Sequence, residues 1–236
     1  MVSDETDDSL IRYEFHFPDG RHWQHEVHLA PAAAAAAQPP AEELPEWTRL
    51  GFQQCSHCPL NEQESPQCPF AVALVKPVEV LAQCPSYEAV EVIVRWRGRE
   101  IRQSTSLQRA LGSLLGALGA TSGCPHTRKL KAMAWFHWPF STSDETLYRS
   151  LGTYLLGQHL RQQRGLPADW SMEGLREIYR NLRQVNLGMT ARLRAAAEED
   201  SSLNGLILLD LLAADTLYSL DSYEGELDRF FEDFFE

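Results

Sequence analysis

Residues 10–29 have the sequence LIRYEFHFPDGRHWQHEVHL, and this stretch decides the fold class of the amino-terminal part of the chain. Apolar and polar residues alternate over 11–17, and a similar alternation returns over 23–29. A period of two is typical of a strand that buries one face. The Pro-Asp-Gly sequence at 18–20 is a turn signal between the two runs. The stretch therefore predicts a β-hairpin.

A second hairpin is predicted further along the chain. Apolar residues alternate over 90–96, Arg-Gly-Arg at 97–99 supplies a turn, and Ile101 begins the return strand. Two hairpins could form one antiparallel sheet of about four strands. The pattern does not determine the order of the strands.

The chain after residue 105 has the spacing of helices. We expect a fold of the α+β class, with two β-hairpins forming a small antiparallel sheet, a cysteine-bearing loop and a bundle of about five helices. The predicted helices lie at 107–120, 127–138, 143–164, around 175–193, and at 203–220.

Several helix boundaries are predicted from local signals. Thr105-x-x-Gln108 has the pattern of a capping box, and Ser143 is placed to cap the helix that begins there. A further helix over 70–81 is expected to be interrupted by Pro77. The apolar residues near the carboxyl end, Leu227, Phe230, Phe231, Phe234 and Phe235, have helical spacing.

The chain is expected to form a single domain over 10–236 after a disordered acidic tail at 1–9. Residues 30–45 are rich in alanine and proline, which favours an exposed linker over a helical turn. The segment 46–85 holds four of the five cysteines, and the helical part occupies 105–236.

Charge and hydropathy exclude several classes of partner. Lys plus Arg number 21 and Asp plus Glu number 33, so the formal charge is −12. An acidic chain is poorly suited to nucleic acid or an anionic membrane surface. The start of the chain has no basic and then apolar signal, and no run reaches the roughly 18 apolar residues of a membrane-spanning helix. We therefore predict a cytoplasmic protein whose cysteines are reduced or bound to metal.

The cysteines point to a metal site. Cys55-x-x-Cys58 can place two sulfurs on one metal through a tight turn, and Cys68 can come from the same loop. Four of the five cysteines precede proline, which holds each thiol on a stiff corner. Structural zinc is favoured, an iron–sulfur cluster is possible, and ordinary metal-free thiols are the simplest alternative. The candidates for the fourth ligand are Cys84, Cys124, His57 and His126.

Several strings resemble a bacterial family that is known only as a domain of unknown function. They are C-x-x-C-P-L at 55–60, C-P at 68–69, T-S-G-C-P at 121–125, M-x-x-F-H-x-P-F at 133–140, E-T-x-Y-R at 145–149 and Y-L-L-x-Q at 154–158. The resemblance covers roughly residues 10–230 and implies no activity. It favours a metal-binding tetrad with Cys84 in reserve. The implied ligands are Cys55, Cys58, Cys68 and Cys124.

A second hypothesis is a thiol-dependent enzyme or redox protein. Cys124 would be its reactive group, with His126 and His137 as partners, and Glu145 could join them in one cleft. The sequence does not decide whether the protein is an enzyme, because no phosphate loop, dinucleotide fingerprint or nucleophile elbow is present.

Two further clusters are given structural interpretations. His22, His25 and His28 follow a spacing of three, which alternates faces on a strand, so with His16 they are interpreted as incidental. The acidic, aromatic carboxyl end at 227–236 could dock onto a protein partner, although covering the domain's own core is favoured. The leading hypothesis is a cytoplasmic metal-binding protein with a four-cysteine site that acts through protein interaction.

Overall fold

A computed structural model describes residues 8–81, 84–196, 214, 216–221, 223 and 225–236. Its sheet has four antiparallel strands in the order β2-β1-β3-β4, so the two hairpins join through their first strands. The predicted hairpins and the α+β class are confirmed. The strands are β1 (Leu10–His16), β2 (His22–His28), β3 (Ala89–Trp96) and β4 (Arg99–Ser106).

The alternation of β1 places its apolar side chains on the inner face of the sheet. Ile11, Tyr13 and Phe15 are fully buried, whereas the residues between them are only partly buried. Gly20 in the first turn has a φ of 89°, a left-handed conformation that glycine adopts without strain. Arg12, Glu14 and His16 of β1 lie on the outer face, and the inner face packs on helices.

The described helices follow the predicted order. The longer helices α5 and α6 lie beyond the sheet in sequence, and α2 and α3 pack on each other. No described helix is both long and apolar enough to cross a membrane. The helices are α1 (Pro31–Ala36), α2 (Pro69–Leu81), α3 (Leu107–Thr121), α4 (Lys131–Trp135), α5 (Ser143–Gln163) and α6 (Glu173–Ala196).

The main hydrophobic core lies between the inner face of the sheet and helices α2, α3 and α6. A Cβ atom added at Gly119 in α3 would lie 3.0 Å from the ring of Phe70 in α2, so the glycine permits close helix packing. A second cluster forms where α5 and α6 meet the carboxyl end, with Leu147, Leu175, Tyr179, Leu220 and Leu227 buried. Most of the helix predicted at 203–220 lies outside the described residues.

Three local predictions are wrong. Thr105 belongs to β4, and α3 starts after Ser106 without a capping side-chain bond, because strand pairing with Val90 uses this position. Thr142, not Ser143, caps α5. Its side chain accepts a hydrogen bond from the Glu145 amide, and the Glu145 carboxylate accepts one from the Thr142 amide. α2 runs on through Pro77.

Two further segments have a secondary structure that was not predicted. The alanine run forms α1, a helix of 6 residues that starts at Pro31 and buries none of them. The carboxyl end forms two short 3₁₀ turns, Asp228–Phe230 and Glu232–Phe234, instead of a helix. The predicted disordered tail lies outside the described residues over 1–7.

Candidate metal centre

The Cys-x-x-Cys segment forms a tight turn against α6. The amide of Cys58 donates to the carbonyl of Cys55 at 3.0 Å, which closes the turn. A Cβ atom built at Gly188 of α6 would lie only 2.5 Å from the Cys55 sulfur. Any larger residue at 188 would therefore displace this thiol, so the glycine makes room for the site.

Cys68 and Cys124 approach from two other segments, and both are buried. The Cys68 amide donates to the carbonyl of Thr48 at 2.8 Å, and Pro69 then opens α2. Cys124 follows Gly123, whose φ of 93° turns the chain after α3. Its amide donates to the Ser122 hydroxyl at 3.2 Å. Each thiol thus sits on a backbone corner held by hydrogen bonds.

Four thiols share one electrostatic environment. The pKa of Cys55 is raised to about 11, first by burial and then by the neighbouring thiols of Cys68, Cys58 and Cys124. Burial also raises the pKa of Cys68, and Cys124 adds to that effect. Within the described part of the chain, no three of the sulfurs lie within 4.8 Å of one another. The sulfurs therefore surround a common region without being drawn tightly together.

Cys84 lies in a different environment. Its sulfur accepts a bond from Nη1 of Arg21 at 3.1 Å, and Arg21 follows the turn of the first hairpin. Cys84 is absent from the groups that shift the pKa of Cys55. None of the five cysteines forms a disulfide. Cys84 thus lies beside Arg21, whereas Cys58, Cys68 and Cys124, the other cysteines that the resemblance implied, lie near enough to Cys55 to raise its pKa after burial.

Two histidines tie the converging segments together. The rings of His57 and His126 stack with centroids 4.0 Å apart, and Nε2 of His126 lies 3.0 Å from the carbonyl oxygen of His57. Nε2 of His57 lies 3.2 Å from the carbonyl oxygen of Asn181 in α6. Each of these ring nitrogens is therefore engaged with backbone, as is the Cys68 thiol, which accepts backbone hydrogen bonds from Phe70 and Ala71.

Arg192 is a buried cation beside the thiols that sequence analysis missed. It is 1 % exposed and donates to the backbone carbonyls of Trp47, Arg49 and Leu50. No carboxylate of the described residues pairs with it; the groups that favour its charge are Cys68, Cys55 and Cys58. Its position in an amphipathic helix carried no signal, because its partners lie more than 140 residues away.

His137 belongs to a separate polar cluster. Its Nε2 lies 2.6 Å from Oη of Tyr13, which also bonds the Ser113 hydroxyl at 2.9 Å. Burial, and secondarily the charge of Arg149, lower the pKa of His137 to about 3. The ring borders a cavity of about 410 Å³ that Asn186 also lines.

The four residues proposed for a thiol-dependent cleft therefore have three different settings. Cys124 and His126 lie with the cysteine cluster, and His137 lies on the cavity, whose described lining does not include Cys124. Glu145 closes the capping box of α5.

The fold is of the α+β class, and four cysteines from three chain segments lie near a buried arginine, with no three of the described sulfurs within 4.8 Å of one another. The chain belongs to the family described as Domain of unknown function (DUF6901), whose model matches residues 11–232. A search of curated proteins and a search of solved structures each found no match.

Proposed function

We propose that this protein is a metal-binding protein in which Cys55, Cys58, Cys68 and Cys124 hold one structural zinc ion. The observation that carries the proposal is the convergence of these thiols from three separate segments, expressed in their effect on the pKa of Cys55. A tight turn followed by two stiff corners is the arrangement that fixed thiolate ligands require.

The charge balance supports this assignment. Four thiolates and one Zn²⁺ carry a net charge of −2, which is costly to bury without a compensating cation. Arg192 supplies that cation beside Cys68, Cys55 and Cys58. Sulfurs in a tetrahedral zinc site lie roughly 3.8 Å apart, given Zn–S bonds of about 2.3 Å. Zinc would therefore draw the thiols closer together, because no three of the described sulfurs now lie within 4.8 Å of one another.

The proposed role of the metal is structural. It would link the Cys55–Cys58 turn, the start of α2 and the corner after α3, three segments that also meet through core packing, hydrogen bonds and the stacked histidines. Four protein ligands leave no coordination position for a substrate, which distinguishes structural from catalytic zinc.

We further propose that the protein acts in the cytoplasm of a bacterium through a protein partner. Leu227 is buried in the second cluster, but Phe230, Phe234 and Phe235 are 60 %, 81 % and 69 % exposed. Acidic residues lie between them, so the fitting partner has an apolar groove with a basic rim. Removal of residues 232–236 should abolish partner binding and leave the fold intact; unfolding of the shortened chain would mean that the segment serves the core.

Elemental analysis of natively purified protein, combined with a visible spectrum, tests the metal. We expect about one equivalent of zinc per chain and no visible absorption, as for Zn²⁺. Cys68→Ser should lose the metal, and the matched control Cys84→Ser should retain it. Less than half an equivalent of zinc or iron in the wild type would overturn the proposal.

The two alternatives give different results in the same preparation. An iron–sulfur cluster on the same thiols would bring iron and visible absorption, which would replace zinc in the proposal. A reactive Cys124 would be alkylated at neutral pH as fast as a free thiol. We expect Cys124 to be protected in the zinc-loaded protein, because its side chain is buried and its sulfur is a ligand.

A further inference from the structure

A second group of side chains that could bind a metal lies on the outer face of the sheet, on β1 and at the start of β2. Glu14 and His16 are two residues apart on β1 and therefore point to the same face. His22, at the start of β2, is paired directly with His16 in the strand register, so its side chain joins that face. Strand pairing thus brings one carboxylate and two imidazoles together.

The distances among these groups are those of ligands to one ion. One ligand atom from each of the three residues lies within 4.8 Å of the other two. Oε2 of Glu14 is 3.7 Å from Nε2 of His16, and the two imidazole rings are 4.7 Å apart. Ligand atoms about 2.1 Å from a tetrahedral metal lie roughly 3.4 Å from each other. Small side-chain rotations would complete the geometry.

The polar groups at this position are only partly satisfied by the protein. Nε2 of His16 is buried and has no hydrogen-bond partner in the described structure. A buried ring nitrogen without a partner is costly, and a cation is one group that can satisfy its lone pair. His22 is exposed, so the site is open to solvent on one side.

Arg95 orients the carboxylate without occupying it. Nη1 of Arg95 donates to Oε1 of Glu14, and this leaves Oε2 directed at His16. Arg95 also donates to Glu100 at 3.0 Å, so its charge is shared between two carboxylates. A hydrogen-bonded carboxylate beside a histidine ligand is a common arrangement in metal sites, where it fixes ligand orientation.

We propose that Glu14, His16 and His22 form a binding site for a divalent transition-metal ion of the zinc or nickel type. Imidazole and carboxylate ligands suit these ions. Three protein ligands and an open side leave coordination positions for water or a small anion, unlike the closed site proposed for the cysteines. The proposal does not depend on the cysteine centre, because its ligands come from β1 and β2 alone.

Calorimetric titration with Ni²⁺ of the full chain, as purified, tests the site. His22→Gln and His16→Gln should each weaken Ni²⁺ binding by at least about tenfold, since each removes a ligand. The matched control is His159→Gln, which removes an exposed histidine on α5 far along the chain and should leave the affinity unchanged. Circular dichroism should show the same fold in all three variants.

Two results would overturn the proposal. One is an equal affinity for Ni²⁺ in the wild type and in His22→Gln. The other is binding that disappears in Cys68→Ser and persists in His22→Gln, because it would assign the ion to the cysteines. Loss of the native zinc in Cys68→Ser, with His22-dependent nickel binding retained, would instead support both sites independently.

Discussion

The cysteine cluster and the histidine–carboxylate cluster, which consists of Glu14, His16 and His22, differ in how the chain positions their side chains. The cysteines lie on three segments that span 55–124, and their surroundings include a fully buried arginine. The histidine–carboxylate cluster lies on one hairpin, with a register that the sheet already fixes through backbone pairing. A metal at the first cluster would hold distant segments together, whereas a metal at the second would add little to a strand pair that already exists. Stability should therefore depend on the first cluster and hardly on the second.

The largest effect expected is from loss of a cysteine ligand. Cys68→Ser should lower the free energy of unfolding by about 4 kcal/mol or more, because losing a structural metal is among the most destabilising changes. Cys84→Ser should cost far less, since that sulfur contacts Arg21 outside the cluster. Urea unfolding of both variants measures the difference. Equal stability of the two variants would mean that the cysteine cluster does not hold a stabilising metal.

Removal of the buried cation should have the next largest effect. Arg192→Met leaves the carbonyls of Trp47 and Leu50 without a donor and the proposed thiolates without a countercharge. We expect a loss of about 3 kcal/mol and weaker zinc retention against a chelator. Arg194→Met, an exposed change on the same helix, is the control and should stay within roughly 0.5 kcal/mol of the wild type. Unchanged zinc retention in Arg192→Met would contradict the charge argument.

A substitution at Gly188 tests the packing of the cysteine cluster through the sign of its effect on the free energy of unfolding. Gly188→Ala gains helix propensity but forces the Cys55 sulfur away from a position 2.5 Å from the new Cβ, so a net loss of about 1–2 kcal/mol is expected. Gly152→Ala in α5 meets nothing within 4 Å and should stabilise by roughly 0.5–1 kcal/mol. Thermal unfolding of both proteins gives the signs. A stabilising Gly188→Ala would show that the thiol is not held against α6.

The last effect is a pH dependence, and it concerns a buried histidine outside both clusters. Burial lowers the pKa of His137 to about 3, so the folded state resists protonation and the unfolded state does not. Its contribution to stability is complete above about pH 6.5 and is lost as the pH falls toward 3, with a slope of at most about 1.4 kcal/mol per pH unit. His137→Gln should flatten this slope. His25, with a pKa lowered to about 4, continues to contribute.

The free energy of unfolding measured between pH 4 and pH 7 checks this prediction. Protonation of His137 changes the slope with pH, whereas the lost hydrogen bond to Tyr13 shifts the whole curve. The same experiment on His159→Gln, an exposed change, should reproduce the wild-type slope. A His137→Gln curve parallel to that of the wild type would mean that His137 is protonated equally in both states.

The fold was predictable where the hydrophobic pattern is strong. The alternation before and after the turn at 18–20 determines which side chains of β1 and β2 are buried. Local signals were weaker: the capping box assigned to Thr105 lost to strand pairing, and the spacing of the terminal phenylalanines did not produce a helix. At Thr105, pairing between strands outweighed a local preference.

The candidate sites show which site residues sequence spacing can predict and which it cannot. Spacing and proline neighbours suggested fixed thiols but left the fourth ligand open, and the set of four cysteines was implied only by the family resemblance. Arg192 gave no signal, because a helix position does not state which distant carbonyls it will meet. The histidines were interpreted as incidental because the spacing of His22, His25 and His28 alternates faces. The faces do alternate within β2, but His16 and His22 come together through the register between β1 and β2.

X-ray absorption at the zinc edge of the natively purified protein tests the central claim most directly. The account predicts one zinc per chain with a first shell of four sulfurs at about 2.3 Å. Cys84→Ser should leave that spectrum unchanged. A first shell made of nitrogen and oxygen at about 2.0–2.2 Å, or a chain that carries no bound metal, would contradict it.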